Sequence, residues 1–119
     1  MNIQICILTG QPLANLIPLL QYQPDRIALL VSDELAPKLP GFLETLHIAG
    51  WQQDQIDCFE HMPDQGYEQI INFVEQLGNQ LKQQHPAATL SVNLTGGNKL
   101  MSLGTMMALD SDDNALFYT

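Results

Sequence analysis

Apolar and polar side chains alternate along this chain in two distinct rhythms. Residues 2–8 form a β-rich run, and Ile27-Ala28-Leu29-Leu30-Val31 is apolar without interruption. An unbroken run of that kind is what a parallel strand buried on both faces looks like. Residues 55–60 alternate more weakly and read as an edge strand. In residues 90–95, Leu90, Val92 and Leu94 alternate with Ser91, Asn93 and Thr95, the period of two that marks a strand. A last short strand is expected over 115–118, after a turn at 110–114.

Helical spacing fills the gaps. Pro12 suits a first helical turn, where a missing N–H is no loss. Leu13, Leu16, Ile17 and Leu20 then predict one apolar face, with Pro18 expected to kink or shorten the helix. A second helix is expected from about Pro40 to the stop at Gly50, turning Phe42, Leu43, Leu46 and Ile48 inward. The clearest pattern is residues 67–84, where Tyr67, Ile70, Ile71, Val74, Leu77 and Leu81 recur on one face. A fourth helix follows Gly96-Gly97 on Leu100, Met101, Leu103, Met106, Met107 and Leu109. The order β-α-β-α-β-α-β-α-β predicts an α/β domain, with a mainly parallel sheet and helices on both faces.

In such sheets ligands sit beyond the carboxyl ends of the strands, where strand order reverses. Three polar turns fall at predicted strand ends: Thr9-Gly10-Gln11, Ser32-Asp33 and Thr95-Gly96-Gly97-Asn98-Lys99. The third carries the most chemistry. It joins a strand to the first turn of a helix, whose leading N–H groups lack intrahelical partners and carry the positive end of the helix dipole. Two glycines would let an anion come close to that backbone, with a hydroxyl from Thr95 and a full charge from Lys99. The turn reads as a phosphate-binding turn, although strand–Gly-Gly–helix turns also serve simply to reverse the chain. It has neither P-loop nor Gly-x-Gly-x-x-Gly spacing. Ser32 and Asp33 suit a ligand contact or a cap on the following helix equally.

Composition narrows the ligand. With 119 residues, 45% hydrophobic and 14% charged, the chain is expected to fold as one domain. A net charge of −9, with only Arg26, Lys38, Lys82 and Lys99 basic, argues against duplex DNA or long RNA. A bound anion would be small and held mainly by backbone dipoles and hydroxyls, with Lys99 as the one well-placed cation. No apolar run reaches the ~18 residues of a membrane span and no leader is evident, so a cytoplasmic protein without membrane contact is expected. Cys6 and Cys58 sit in strand-like segments and read as two buried free thiols. His47, His61 and His85 form no metal constellation, and none falls on the predicted rim. Neither a metal nor a cofactor is expected.

With these turns placed, the chain resembles the CRISPR-associated Rossmann-fold (CARF) sensor domain. It is most similar to the N-terminal domain of type III CRISPR ancillary nucleases. The stretch from Val92 through Thr95-Gly96-Gly97-Asn98-Lys99 to Met101 carries the specific part of the likeness. Leu8-Thr9-Gly10-Gln11, with Asn15-Leu16-Ile17-Pro18, and Leu29-Leu30-Val31-Ser32 fit the family's first two strand-turns. The resemblance implies a Rossmann-like fold in a homodimer whose two-fold cleft binds a cyclic oligoadenylate, cyclic tetra-adenylate foremost. It places Thr95, Gly96, Gly97, Asn98 and Lys99 against phosphate or ribose. Thr9, Gly10 and Gln11 would line the cleft, and Ser32 and Asp33 the adenine or ribose side.

The family's nuclease effectors continue into a second domain that these residues do not supply. The expectation is therefore one sensor domain over residues 1–119, as an isolated half or a stand-alone protein. A stand-alone member could also cleave the messenger as a ring nuclease, through attack by a ribose 2′-OH, with Lys99 stabilising charge on the phosphate. A third alternative is an unrelated nucleotide- or flavin-binding module. Met101, Met106 and Met107 are assigned to core or dimer packing, not to ligand contact.

Overall fold

The structure is a computed structural model that describes residues 1–110 and, as backbone, residues 114–117. The expected turn at residues 111–113, and Tyr118 of the last expected strand, lie outside the described residues. Five strands form one sheet: β1 (Asn2–Ile7), β2 (Arg26–Val31), β3 (Ile56–Glu60), β4 (Thr89–Asn93) and β5 (Asn114–Phe117). Their order is β3-β2-β1-β4-β5, and every neighbouring pair is parallel. The fold is Rossmann-like α/β. β3 is an edge strand, as its weaker alternation predicts.

Four helices connect the strands: α1 (Pro12–Tyr22), α2 (Leu39–Ile48), α3 (Tyr67–Gln84) and α4 (Lys99–Leu109). Two cores lie on opposite faces of the sheet. One packs Ile3, Ile5, Ile7, Leu90 and Val92 against Ile70, Val74, Leu77 and Leu81 of α3 and Met101 and Leu109 of α4. The other packs Cys6, Leu8, Ile27, Leu29 and Val31 against Leu19 of α1 and Phe42 and Leu46 of α2. The odd and even residues of β1 and β2 therefore serve different cores, which is why β2 is apolar throughout after Arg26 and β1 is apolar save for Asn2 and the buried Gln4. Helices switch faces between β1 and β4, so the switch point lies between those two strands.

Several expectations change. α1 turns Asn15, Pro18 and Leu19 inward, while Leu13, Ile17 and Leu20 are exposed. α2 starts one residue early, after a 3₁₀ turn at Ala36–Lys38, and leaves Ile48 82% exposed. Trp51 closes that core instead, its indole N–H donating to the Pro24 carbonyl at 3.0 Å. Cys6 is buried, and burial pushes its thiol up to about 12. Cys58 is exposed, contrary to expectation, at the centre of an edge strand whose residues are all half-buried or exposed. Partial desolvation, with Glu60 and Asp57 nearby, still raises its pKa.

Pro18 does not end α1, which runs eleven residues through it. A proline removes the N–H that would reach the carbonyl four residues earlier, here Ala14. The Asn93 side chain at the end of β4 replaces it, Nδ2 donating to the Ala14 carbonyl at 3.1 Å. The vacancy left by the ring thus becomes a tie between α1 and β4.

Candidate functional site

The C-terminal ends of β1, β2 and β4 open into the three polar turns, and each turn is held differently. At the β4–α4 turn, a Cβ on Gly96 would overlap the Ile7 carbonyl, lying 2.9 Å from the carbonyl carbon. Gly97 has φ +77°, and a Cβ there would meet the Ile7 side chain at 2.9 Å. Both glycines are therefore required by the packing of the turn onto β1. The packing alone accounts for the glycine pair, as a chain-reversing turn would, whether or not an anion also approaches it.

The same turn is tightened by side chains. Asn98 caps α4, its Oδ1 accepting from Met101 N–H at 2.8 Å, while its Nδ2 donates to the Asp64 carbonyl at 3.0 Å. Ser102 Oγ sits 2.8 and 2.9 Å from the Leu94 and Gly96 carbonyls. Asn93 Oδ1 accepts from Thr95 N–H at 2.9 Å. The amides of Lys99 and Leu100 have no acceptor among the described residues, so the positive end of α4 keeps two open donors.

The β1–α1 turn uses a staple from inside α1. Buried Asn15 accepts from Thr9 N–H at 3.0 Å and donates to the Ile7 carbonyl at 2.8 Å. Ile7 O therefore anchors both turns, contacting Gly96 on one side and Asn15 on the other. After β2, the Ser32 carbonyl accepts from Leu35 and Ala36, which starts the 3₁₀ turn, and neither Ser32 nor Asp33 caps it with a side chain. Asp33 pairs instead with His61, Oδ1 to Nδ1 at 2.8 Å, both side chains more than 80% exposed. His61 follows β3 directly, in the left-handed region at φ +63°. That places a histidine on the rim, against expectation. The pairing spans 28 residues and leaves no local trace in sequence.

One cavity of about 150 Å³ gathers these turns. Of the expected site residues, Thr9, Gly10, Ser32, Gly97 and Asn98 line it. Leu8, Glu34, Leu35, Asp64 and Met101 complete it. Gln11, Asp33, Thr95, Gly96 and Lys99 do not line it. Gly96 is buried and Thr95 half-buried, while Gln11, Asp33 and Lys99 are exposed. Two carboxylates, Glu34 and Asp64, stand in the wall. Carboxylates suit ribose hydroxyls or an amino group better than phosphate. A larger cavity of about 240 Å³, lined by Glu75, Lys82 and Leu109 among others, meets none of the polar turns. Among the described residues no cluster of His, Cys, Asp and Glu could hold a metal, and no helix is long and apolar enough to cross a membrane.

Comparison with known families decides the relationship. The family model for the Card1 CARF domain matches residues 3–119. The chain belongs to that family. Solved structures share its fold. Can2 from Sulfobacillus thermosulfidooxidans, in complex with cyclic tetra-adenylate, superposes with a TM-score of 0.78 at 21% identity, covering 99% of this chain and 32% of that one. Csm6 from Enterococcus italicus, bound to cyclic hexa-2′-fluoro-hexa-dAMP, gives 0.83 at 16% identity, covering 100% and 33%. Protein VC1899 from Vibrio cholerae gives 0.81 at 17%, covering 98% and 30%. This CARF domain thus spans about a third of the length of each of these three structures. No curated protein matches it in sequence. Family membership sets aside the reading as an unrelated nucleotide- or flavin-binding module.

Proposed function

We propose that this CARF domain binds a cyclic oligoadenylate, cyclic tetra-adenylate foremost, in a cleft between two copies, as the sensor of a type III CRISPR response. The observation that carries the reading is the convergence of the three polar turns on one rim cavity at the switch point, beside the open amides of α4. Can2, of the same fold, is solved with such a ring. A cavity of about 150 Å³ is too small for a tetranucleotide, so one protomer offers part of a site. A two-fold ring on a two-fold axis uses the same turns twice. Leu103 and Met107, one helical turn apart and exposed on α4, offer an apolar contact for the second copy. Thr95, Gly96, Gly97 and Asn98 place the backbone toward phosphate, and Lys99 supplies charge. Thr9, Gly10 and Gln11 line the cleft, and Ser32 and Asp33 face base or ribose.

Calorimetric titration with cyclic tetra-adenylate tests this. One ring per two chains is expected, with affinity falling about tenfold in Lys99→Ala, on the order of one charge-assisted contact. Met107→Glu is expected to give monomers that bind far more weakly. No heat with any ring size overturns the reading.

The His61–Asp33 pair favours a second reading, the ring nuclease. With the Nδ1 proton held by Asp33, Nε2 is free to accept the proton of a ribose 2′-OH. The 2′-oxygen would attack phosphorus, the P–O5′ bond would break, and the products would be a 2′,3′-cyclic phosphate and a 5′-hydroxyl, which takes up a proton from water. Lys99 would stabilise the charge on the phosphate. Chromatography of the same mixture distinguishes the two: linear product in the wild type, lost in His61→Ala with binding retained, establishes cleavage. An intact ring leaves a sensor.

A further inference from the structure

We infer that the groove between α1 and α2 is a second base subsite for the same ligand, with Lys38 holding the phosphodiester that crosses from the rim cavity into it. The inference rests on the oligoadenylate reading of the rim. The groove has a volume of about 310 Å³ and is lined by Leu8, Thr9, Pro12, Pro37, Lys38, Gly41, Phe42 and Thr45. Leu8 and Thr9 also line the rim cavity, so the β1–α1 turn is a ridge between two adjoining hollows. Lys38 Nζ lies 3.9 Å from the point where a Cβ on Gly10 would stand, which places an ammonium over that ridge. Lys38 forms no ion pair with a carboxylate among the described residues. In a chain with four basic residues and a charge of −9, an unpaired lysine over a saddle between two hollows fits a bridging phosphate.

The walls suit a purine. Pro12 and Pro37 flank the groove over a floor that includes the buried Leu8 and Phe42, apolar surroundings for a flat ring. Thr9 and Thr45 add polar side chains to the lining, Thr45 Oγ donating to the Gly41 carbonyl at 3.1 Å. Two glycines separate this surface from the β4–α4 turn. Gly96 and Gly97 are dictated by packing and by φ, but Gly41 and Gly10 are not. A Cβ on Gly41 would meet nothing within 4 Å, and its φ is not in the left-handed region. Gly41 sits inside α2, where glycine forfeits helix stability relative to alanine. Gly10 likewise has an ordinary φ and only Lys38 for a neighbour. Neither glycine answers a demand of the fold, and both keep open the path from one hollow to the other.

Filling the groove tests the inference. Gly41→Leu occupies it from a position with free space, and its melting temperature is expected to equal or exceed that of the wild type. Its affinity for cyclic tetra-adenylate is expected to fall at least tenfold. Lys38→Ala is expected to weaken binding about tenfold and to lower the slope of log affinity against log salt by roughly 0.7, one phosphate contact. Lys38→Arg should restore both. If the wild type binds no ring, the oligoadenylate reading itself falls. If the wild type binds and either Gly41→Leu or Lys38→Ala binds as well as it does, the ligand stays within the rim cavity and the second subsite is overturned.

Discussion

The β4–α4 and β1–α1 turns do the same work by opposite means. Each takes a buried strand into a helix across the switch point, and each is fixed against the Ile7 carbonyl. The β4–α4 turn gets there by subtraction, since Gly96 has no Cβ to hold it away. The β1–α1 turn gets there by addition, since Asn15 reaches back from α1 with a donor for Ile7 O and an acceptor for Thr9 N–H. A turn defined by glycine is visible as a local motif. A turn defined by a buried amide six residues on is not, because asparagine in a helix usually faces water. The two also differ in what they leave open. The glycine turn presents backbone amides, and the stapled turn presents a side of the molecule that Lys38 overhangs.

The sharpest way to break this comparison is Gly96→Ala. Its Cβ would run into backbone, which cannot step aside as a flexible side chain could. A loss of about 3 kcal/mol in denaturant unfolding is expected. A variant as stable as the wild type would mean that the turn does not press on Ile7. Next comes Asn15→Ala, which leaves the Thr9 amide and the Ile7 carbonyl short of partners. About 2 kcal/mol is expected to go, with the m-value unchanged.

A smaller effect sharpens the link between the two turns. Asn93→Ala removes the donor that replaces the missing N–H of Pro18 at the Ala14 carbonyl. Pro18→Ala would return the ordinary helical donor, so the loss from Asn93→Ala should shrink by about 1 kcal/mol in that background. Strict additivity would show that the Asn93–Ala14 bond contributes nothing. A pH-dependent effect, outside this ranking, concerns β1 beneath both turns. The folded pKa of Cys6 is raised from 9.0 to about 12, so the folded state holds its proton more tightly than the unfolded one. Its contribution is fully present below pH 9 and is lost as pH rises from 9 toward 12, at about 1.4 kcal/mol per pH unit. Subtracting the pH–stability curve of Cys6→Ala from that of the wild type should reveal this limb. A flat difference above pH 9 would contradict the burial of the thiol.

How much could be read in advance follows the same division. The bounds of α3 match their prediction because a long helix repeats its apolar stripe over five turns. β2 was equally plain, as an unbroken apolar run has few other homes in an α/β domain. α1 misled, because Leu13, Ile17 and Leu20 form a good stripe that faces outward. Its inward side carries Asn15 and Pro18, residues whose burial makes sense only with Ile7, Thr9 and Asn93 in place. Ile48 misled for a related reason, since Trp51 fills the place that helical spacing assigns to it.

By itself the sequence determined the α/β class, five strands in a parallel arrangement, the strand–turn–helix at Thr95 to Lys99, and the likeness to the CARF family. These follow from rhythms and motifs that span a few residues. Only the tertiary structure decided that the glycine pair answers to Ile7, that His61 meets Asp33, that Lys38 overhangs Gly10, and that half of the expected residues share one cavity. Each of these depends on a contact between segments far apart in the chain. Such contacts exist only once the sheet has brought strand ends together, and no local pattern of side chains encodes them.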